Sequence, residues 1–470
     1  WKEGVHEREA VFHLNFRRSP FKGGYAVAAG LEEVLALLEG LRFDESDLDY
    51  LASLRGNDGG RLFEPGFLEC LRGLRFSCDV DAVPEGTVVF PQEPLLRVKG
   101  PLLQAQFLET VLLNVINFQT LIATKAARVC SAARGEPVLE FGLRRAQGID
   151  GALSAARASY IGGCAATSNV LAGKLYGIPV RGTHAHSWVM VFGDELESFR
   201  RYADAMPNNC LFLVDTYDTL QGVRHAVQVG QELKARGKRL VGIRLDSGDL
   251  AYLSIEARKI LDEGGFPDAV IVGSNDLDEH LIASLKEQGA TINVWGVGTR
   301  LVTAYDDAAL GGVYKLSAIR DEGGRWQHRV KLSEQAVKIS TPGILQVRRF
   351  RDEHGFVADM IFDEESGVPA DATMVDPLDL TRRMKLLSSL TSSDLLVPVF
   401  RGGKRVYDAP PLEQCRARLQ EQLSGFHAGV KRFVNPHAFP VGLESRLFDR
   451  KTQLVLDARK VPHVGKAAAG

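Results

Sequence analysis

The stretch Gly177-Ile-Pro-Val-Arg-Gly-Thr-His-Ala-His-Ser187 is the strongest indication of the fold, because a short apolar run ends there in a hydroxyl and two histidines. If residues 178–181 form a strand, Thr183, His184 and His186 lie at its carboxyl end. Parallel α/β sheets and barrels carry their chemistry at that end of their strands. The stretch therefore predicts a parallel α/β fold with a functional site on this loop.

Short apolar runs recur on both sides of this stretch, and a helix-like segment separates each run from the next. The runs cover residues 138–141, 210–214, 240–243, 269–272 and 292–295. This alternation is typical of parallel strands joined by helices. An open sheet would give the same rhythm, but polar residues follow each run and can converge on one pocket if the strands form a ring. We therefore predict an irregular α/β barrel, complete or incomplete.

The regions before and after this barrel differ from it in pattern. Prolines and glycines separate short apolar runs between residues 84 and 98, and a long helical pattern begins at Leu102. Beyond Lys338 the chain is more charged and irregular. We predict an N-terminal α+β domain over residues 1–106, a barrel domain over 107–337 and a C-terminal segment over 338–470. We expect that segment to pack back on the first domain and the barrel edge.

The composition excludes several classes of protein. With 470 residues, 45% of them hydrophobic, the chain can bury large cores. Its 57 basic and 59 acidic residues give no basic footprint for nucleic acid, so any anion site is expected to be local. No apolar run approaches about 18 residues and no signal-peptide pattern opens the chain, so we expect a cytoplasmic protein without a membrane partner. The six cysteines form no CxxC pair, which argues against a zinc ribbon or a disulfide scaffold.

Several ordered motifs resemble the nicotinate phosphoribosyltransferase family. They are the stretches 4–10, 20–30, 140–145, 167–173, 177–187, 243–249, 310–316 and 338–343. The resemblance implies the fold of type II phosphoribosyltransferases and a homodimer that shares its active site. It also implies a ring-stacking tyrosine in a segment upstream of these motifs, and no residue of this sequence is assigned to that role.

The activity that the resemblance implies is the first step of NAD synthesis from nicotinic acid. Nicotinate and phosphoribosyl pyrophosphate would give nicotinate mononucleotide and pyrophosphate. ATP would be a co-substrate, hydrolysed to ADP and phosphate, and Mg²⁺ the cofactor.

Arg244 and Asp246, which follow the run 240–243, carry charges suited to this reaction. The transition state is cationic at the sugar, so an anionic group near the ribose and cationic groups near the phosphates stabilise it. Asp246 suits the ribose side, and Arg244 suits the diphosphate or the pyridine carboxylate. The resemblance implies that Arg244 contacts nicotinate. The alternative is an Arg–Asp pair that only stabilises a strand end.

Thr183 and His186 form the second candidate pair. The resemblance implies that Thr183 contacts nicotinate and that ATP phosphorylates His186, since a neutral imidazole has one nitrogen free as a nucleophile. Alternation along an extended run points His184 away from the face of Thr183, which favours His186 as the phosphohistidine. The same alternation brings His186 beside Thr183 only if the strand ends between them.

The turn Trp295-Gly-Val-Gly-Thr-Arg300 is a candidate phosphate cradle, because it offers backbone N–H groups and a hydroxyl where a helix could begin. Its place after a late barrel strand supports this interpretation, and a purely structural turn is the alternative. The resemblance implies a phosphoribosyl contact at Thr299. Gly273, Gly296 and Gly298 are its expected backbone neighbours.

Arg144, Arg145 and Asp215 complete the candidates. Either arginine could grip the nicotinate carboxylate with two parallel donors, or could instead pair with Glu140 or Glu109. Asp215 is a candidate Mg²⁺ contact through water, with a solvated loop acid as the alternative.

Two other functions remain open at this point. A sister enzyme acting on nicotinamide or quinolinate would share the barrel, but the paired arginines favour a single carboxylate, whereas an amide would require an acceptor such as aspartate. A non-catalytic metabolite sensor would keep the pocket without turnover. The presence of His186, Arg244, Asp246 and Thr299 argues against a sensor.

Overall fold

The computed structural model describes residues 1–459. The tail Lys466–Gly470, whose composition suggests fraying, lies outside this range. The chain folds into two compact units. The first contains Trp1–Phe118, Leu310–Pro411 and the described residues from Glu421 on, and the second contains Gln119–Ala309 and Leu412–Gln420.

The helices and strands are numbered in chain order. The strands are β1 (Glu9–Phe16), β2 (Ala26–Val27), β3 (Asp79–Ala82), β4 (Val88–Val89), β5 (Leu96–Pro101), β6 (Val138–Glu140), β7 (Ala166–Thr167), β8 (Cys210–Leu213), β9 (Leu240–Leu245), β10 (Val270–Ser274), β11 (Val294–Val297), β12 (Gly312–Arg320), β13 (Trp326–His328), β14 (Leu345–Arg351), β15 (Phe356–Asp363), β16 (Thr373–Val375), β17 (Arg383–Lys385), β18 (Thr391–Asp394), β19 (Val397–Arg401), β20 (Lys404–Arg405) and β21 (Val441–Glu444). The helices are α1 (Leu31–Glu39), α2 (Glu45–Ser53), α3 (Pro65–Gly73), α4 (Leu102–Phe107), α5 (Glu109–Ala132), α6 (Ile149–Ile161), α7 (Val170–Tyr176), α8 (His186–Phe192), α9 (Glu195–Ala205), α10 (Thr219–Ala235), α11 (Leu250–Glu263), α12 (Glu279–Glu287), α13 (Thr299–Val302), α14 (Leu412–Gly425) and α15 (Ser445–Ala458).

Two larger sheets organise the first unit. One has the strand order β13-β12-β1-β5-β3-β19-β20, and the other has the order β17-β16-β21-β15-β14-β18. Strand β1 lies inside the first sheet and pairs antiparallel with both β12 and β5, so its apolar residues are buried. Residues 107–118 and 310–337, which were expected from sequence to belong to the barrel domain, lie in the first unit. Strand β12 joins β1 in the first unit.

The second unit is built on a parallel sheet with the order β7-β6-β11-β10-β9-β8. Among the described residues no strand pairing joins β7 to β8, so the ring does not close. The predicted irregular α/β barrel is confirmed in its incomplete form. Convergence of polar strand ends on one pocket does not need a closed ring, because a curled open sheet achieves it.

The connections that follow three of these strands end in aspartate caps. Asp218, Asp249 and Asp278 accept backbone N–H bonds at the starts of α10, α11 and α12. Such caps satisfy N–H groups that have no partner within the helix. They fix each loop between a strand end and the next helix, and these loops carry the candidate site.

The predicted strand over residues 178–181 is wrong in extent. Only Val180 makes an isolated parallel bridge, to Thr167, and Pro179 has no N–H to continue a ladder. His186 lies at the first position of α8 instead of at a strand end. Within residues 1–459, no helix has the length and apolar character needed to cross a membrane.

Candidate active site

The carboxyl ends of the parallel strands surround a cavity of about 360 Å³ in the second unit. Its lining residues are Phe141, Leu143, Arg144, Ser168, Gly182, Thr183, Ala185, His186, Leu213, Arg244 and Asp246. Five residues proposed from sequence therefore share one cavity. Six other candidates do not line the cavity: Arg145, Asp215, Gly273, Gly296, Gly298 and Thr299.

Strand register explains how Arg244 reaches this cavity. Arg244 is aligned with Leu213 on β8 and with Val272 on β10, so the three side chains share a face. Asp246 lies two residues after Arg244, and Ser274 lies two residues after Val272, so both continue that face. A cation, a carboxylate and a hydroxyl thus meet at the carboxyl end of the sheet.

The Arg244 guanidinium is the centre of a hydrogen-bond network. Its Nε donates to Ser274 Oγ at 2.8 Å, Nη1 to Thr183 Oγ1 at 3.0 Å and Nη2 to Asp246 Oδ1 at 2.8 Å. The guanidinium also lies 5.4 Å from the centre of the Phe141 ring. These contacts hold a planar cation in one orientation at the cavity wall, as recognition of a carboxylate or phosphate requires.

Asp246 is held in its ionised form. Burial opposes ionisation, but the hydrogen bond from Ser274 and the charge of Arg244 outweigh it and keep the pKa of the Asp246 carboxyl below its usual value. The carboxylate is 25% exposed, so it remains accessible from the cavity. An anion in this position can stabilise positive charge that develops on a ligand.

His186 combines access to the cavity with two different neighbours. Its Nδ1 lies 3.1 Å from Thr216 Oγ1, and its Nε2 lies 3.8 Å from Asp246 Oδ2 and 3.9 Å from Asp215 Oδ1. The side chain is 41% exposed, which leaves it open to a second reactant. The two carboxylates favour a proton on Nε2, and Nδ1 then has the lone pair of a nucleophile.

His184 has the opposite environment. It is buried, its Nδ1 donates to Ala185 O at 3.3 Å, and its Nε2 accepts from Leu213 N at 3.2 Å. The ring packs against Tyr202, with 4.9 Å between ring centres, and burial lowers its pKa to about 4. With both nitrogens engaged by backbone, His184 fixes the loop that carries Thr183 and His186.

The side chain of Asp215 is buried, whereas the alternative expected from sequence was a solvated acid on a loop. Its side chain is 1% exposed. Oδ2 accepts from Asp246 N at 2.9 Å and from Ser247 Oγ at 2.5 Å. Oδ1 accepts no hydrogen bond within the described part of the chain, and it is the oxygen that faces His186. A buried carboxylate oxygen that accepts no hydrogen bond is available to bind a cation.

The two neighbouring arginines are distinguished by position. Both are exposed, and only Arg144 lines the cavity. Neither pairs with Glu140 or Glu109. Glu140 accepts from Gly142 N and from Thr167 Oγ1, and its pKa is raised by burial. Lys315 lies 3.5 Å from Glu109.

The glycine turn that follows β11 leads into α13, with Gly298 as its N-terminal cap. Space is tight at the glycines expected to cradle a phosphate: a Cβ at Gly296 would lie 2.8 Å from the Phe141 ring, one at Gly298 would lie 2.9 Å from Phe141 O, and one at Gly273 would lie 2.7 Å from Ile292. The Thr299 hydroxyl makes no hydrogen bond to any residue of the range 1–459, so it is available to a ligand. Arg300 donates to Asp278 at 2.8 Å and anchors the turn.

Sequence reasoning missed Ser274, Phe141 and Thr216 as site residues. Ser274 orients both Arg244 and Asp246. The signal for Ser274 was present, because it ends a strand adjacent to that of Arg244. Phe141 was quoted only as part of a motif, and its contact with Arg244 depends on the pairing of β6 beside β11, which the sequence order does not reveal.

Comparison with protein families gives three matches to successive parts of the chain. The model of the nicotinate phosphoribosyltransferase N-terminal domain matches residues 1–117, that of the nicotinate phosphoribosyltransferase family matches residues 137–328, and that of the C-terminal domain matches residues 346–451. The nicotinate phosphoribosyltransferase of Bacillus subtilis (strain 168) is 45% identical over 464 residues, which is 98% of this chain and 93% of that protein. The human nicotinate phosphoribosyltransferase is 35% identical over 506 residues, covering 95% of this chain and 92% of its own length.

Solved structures with similar folds include members of the same family. The crystal structure of human nicotinic acid phosphoribosyltransferase matches with a TM-score of 0.84 and 34% identity, and the match covers 97% of each chain. The nicotinate-nucleotide pyrophosphorylase of Pyrococcus furiosus is 23% identical and shares the fold, with a TM-score of 0.67 over 90% of this chain and 92% of that one.

Proposed function

The chain belongs to the nicotinate phosphoribosyltransferase family, as its motifs predicted, and on that premise we propose that it transfers a phosphoribosyl group from phosphoribosyl pyrophosphate to nicotinate. The observation that carries the proposal is the shared cavity, in which Arg244, Asp246 and His186 meet at the carboxyl ends of the parallel strands. The product, nicotinate mononucleotide, would enter NAD synthesis from nicotinic acid.

Arg144, Arg244 and Thr183 would bind nicotinate. Arg144 lines the cavity without an ion pair to any described residue, so its two parallel donors are available to the pyridine carboxylate. Arg244 and Thr183 hold one another in position through their hydrogen bond. Phe141 offers an apolar ring face to the pyridine.

The transfer forms a bond between the pyridine nitrogen and C1 of the ribose. The bond between C1 and the pyrophosphate oxygen breaks, and its electron pair leaves with pyrophosphate. Positive charge develops at the sugar, and the ionised Asp246 would stabilise it. The Thr299 hydroxyl and the turn that contains Gly296 and Gly298 would bind the phosphates, with Gly273 beside them on β10.

His186 would couple ATP hydrolysis to the transfer. Its Nδ1 would attack the γ-phosphorus of ATP, the bond to the β-phosphate oxygen would break, and ADP would leave. Water would later hydrolyse the phosphohistidine to phosphate. The N–P bond is labile, so its formation and loss can bias the reaction toward nicotinate mononucleotide. Thr216, whose hydroxyl lies 3.1 Å from Nδ1, would orient the ring before ATP binds, and this hydrogen bond would break to free the Nδ1 lone pair for the attack.

The environment of Asp215 fits Mg²⁺. Mg²⁺ in such sites is held by one or two carboxylates together with substrate phosphates and water, and Asp215 presents a buried oxygen without a hydrogen-bond donor. When bound, Mg²⁺ would supply charge neutralisation for the phosphates. Asp215 itself fixes the loop after β9 through the N–H of Asp246 and the hydroxyl of Ser247.

A homodimer with a shared active site is part of the proposal. Large apolar side chains are exposed on α7 and on α8, the helix that begins at His186. They are Val170 at 69%, Leu171 at 45%, Leu175 at 56%, Met190 at 62% and Val191 at 77%. Exposed apolar side chains of this size occur in protein interfaces. A second copy of the chain is the occupant that the family leads us to expect.

The proposal is tested by incubating the protein with labelled nicotinate and phosphoribosyl pyrophosphate, with and without ATP. We expect labelled nicotinate mononucleotide, and more of it when ATP is present. Parallel reactions with nicotinamide and quinolinate test the sister activities. Binding of nicotinate without any turnover would instead favour a sensor and contradict the proposal.

A further inference from the structure

A second cavity, of about 660 Å³, is lined entirely by residues of the first unit. We propose that it binds a nucleoside monophosphate, a small anion that carries a flat aromatic base. Its volume falls within the range of small-molecule sites, roughly 300–1,000 Å³. None of the roles proposed above uses this cavity, so it would be an additional site.

The lining carries an excess of positive charge. Arg17 and Arg383 form no ion pair with any residue in the described range, and Arg382 pairs only with Asp379, at 3.2 Å, while its side chain is 73% exposed. An ion pair that exposed contributes little, so the Arg382 charge stays available. Asp376 is the one acid in the lining, and its Oδ1 accepts the backbone N–H groups of its own turn. The cavity therefore favours an anion.

The floor of the cavity is apolar and partly aromatic. Phe90 and Phe439 are stacked, with 4.5 Å between ring centres and 20° between their planes. Met374 and Met384, a pair on the adjacent strands β16 and β17, add polarisable side chains. Aromatic rings and methionine sulfur both make favourable contacts with flat rings. A simple inorganic anion would leave this floor unused.

Three of the loops around the cavity contain residues other than glycine with positive φ angles. Phe21 and Lys22 have φ of 57° and 49°, Gln92 has φ of 73°, and Asn435 has φ of 48°. These residues lie within or directly beside the loops that line the cavity. Left-handed backbone is rare for residues other than glycine and concentrates at functional sites. The strain supports a cavity built for a ligand over an incidental gap between loops.

The arginines of the lining and its aromatic floor together indicate the class of ligand. A guanidinium fork matches phosphate oxygens with parallel donors, so the phosphate belongs beside Arg17 and Arg383. The base then lies on the half-buried Phe439 and Met384, with the buried Met374 beneath them. A nucleoside monophosphate combines both parts in a molecule that fits the volume.

The test is calorimetric titration of the full chain with AMP. We expect AMP to bind wild type, and Arg383→Glu to lose one site per chain or to bind there at least tenfold more weakly. Any AMP bound in the catalytic cavity would remain in that variant, so the loss of one site is the readout. Arg224→Glu is the matched control, because Arg224 is an exposed arginine on α10, remote in sequence from this lining. Its titration should equal that of wild type.

Two further arms separate the parts of the ligand. Ribose 5-phosphate and adenosine should each bind more weakly than AMP, and Arg383→Gln should fall between wild type and Arg383→Glu. The proposal is overturned if AMP binding is the same in wild type and Arg383→Glu, or if wild type binds no AMP. Binding of ribose 5-phosphate as tight as that of AMP would remove the role of the aromatic floor and overturn the nucleotide assignment.

Discussion

His186 and Asp215 face each other, with 3.9 Å between Nε2 and Oδ1. The Asp215 carboxylate is almost fully buried, whereas the His186 ring is open to the cavity. A buried anion next to an accessible imidazole favours the tautomer protonated on Nε2. The relationship therefore assigns different tasks to the two ring nitrogens, and it distinguishes His186 from its neighbour His184.

The first prediction concerns the phosphohistidine. With γ-phosphate-labelled ATP, wild type should acquire acid-labile label, and His186→Ala should acquire none and lose the stimulation by ATP. His184→Ala should keep the capacity for labelling when it is folded, because both nitrogens of His184 bond to backbone. Full labelling of His186→Ala together with loss in folded His184→Ala would reverse the assignment. Circular dichroism of both variants serves as the folding control.

The second prediction concerns the phosphate turn. Thr299→Ala should raise the KM for phosphoribosyl pyrophosphate roughly tenfold to a hundredfold, because a hydrogen bond to a charged group contributes about 1.5–3 kcal/mol. The KM for nicotinate should change less. Thr303→Ala is the matched control, since Thr303 caps the carboxyl end of α13 and its hydroxyl donates to Thr299 O at 2.7 Å. An equal effect of the two substitutions would mean that the turn is only destabilised.

The third prediction separates the two adjacent arginines. Arg144→Ala should raise the KM for nicotinate at least about tenfold, because a charged hydrogen bond to the carboxylate is lost. Arg145→Ala should change it less than about twofold, since only Arg144 lines the cavity. Steady-state kinetics with nicotinate as the varied substrate provide the measurement. A larger effect at Arg145 would exchange their roles.

Much of the site could be predicted from sequence, because the motifs lie at strand ends and parallel strands bring their ends together. Arg244, Asp246, Thr183 and His186 meet for this reason. The backbone conformation that brings Thr183 and His186 to the site was harder to predict. Pro179 prevents a strand before Thr183. His186 begins α8, and its ring lies near the carboxylate of Asp246.

Long-range pairing limited the prediction of the fold. Strand β12 follows the barrel strands in sequence, and only its antiparallel register with β1 shows that it belongs to the first unit. Apolar periodicity indicates a strand but not its partner. For the same reason, sequence could not show that Phe141 contacts Arg244, or that the six-stranded parallel sheet stays open.

The fourth prediction concerns stability at acid pH. Folded protein keeps His184 neutral down to about pH 4, whereas in the unfolded chain the ring takes up a proton near its ordinary pKa of 6.5. The unfolded state therefore binds more protons between these values, and the free energy of unfolding falls as pH drops from about 6.5 to 4, by at most about 3 kcal/mol from this group. Above pH 6.5 this contribution is constant.

Urea unfolding across this pH range measures the effect. His184→Asn should be less stable at neutral pH but lose less stability on acidification. His13, whose pKa is also lowered by burial, is present in both proteins, so the difference between their slopes reports on His184. Identical slopes would show that His184 is not buried as a neutral ring.

The last prediction concerns the guanidinium at the centre of the site. Arg244 uses Nε, Nη1 and Nη2 to reach Ser274, Thr183 and Asp246. Lysine keeps the charge but cannot span three partners or grip a carboxylate with parallel donors. Arg244→Lys should therefore lower kcat/KM for nicotinate at least about tenfold, or about 1.4 kcal/mol in the transition state. Nicotinamide, which lacks the carboxylate, should be a poor substrate for both proteins. Equal use of the two pyridines by wild type, or an unchanged kcat/KM in the lysine variant, would contradict carboxylate recognition by Arg244 and favour the sister activity.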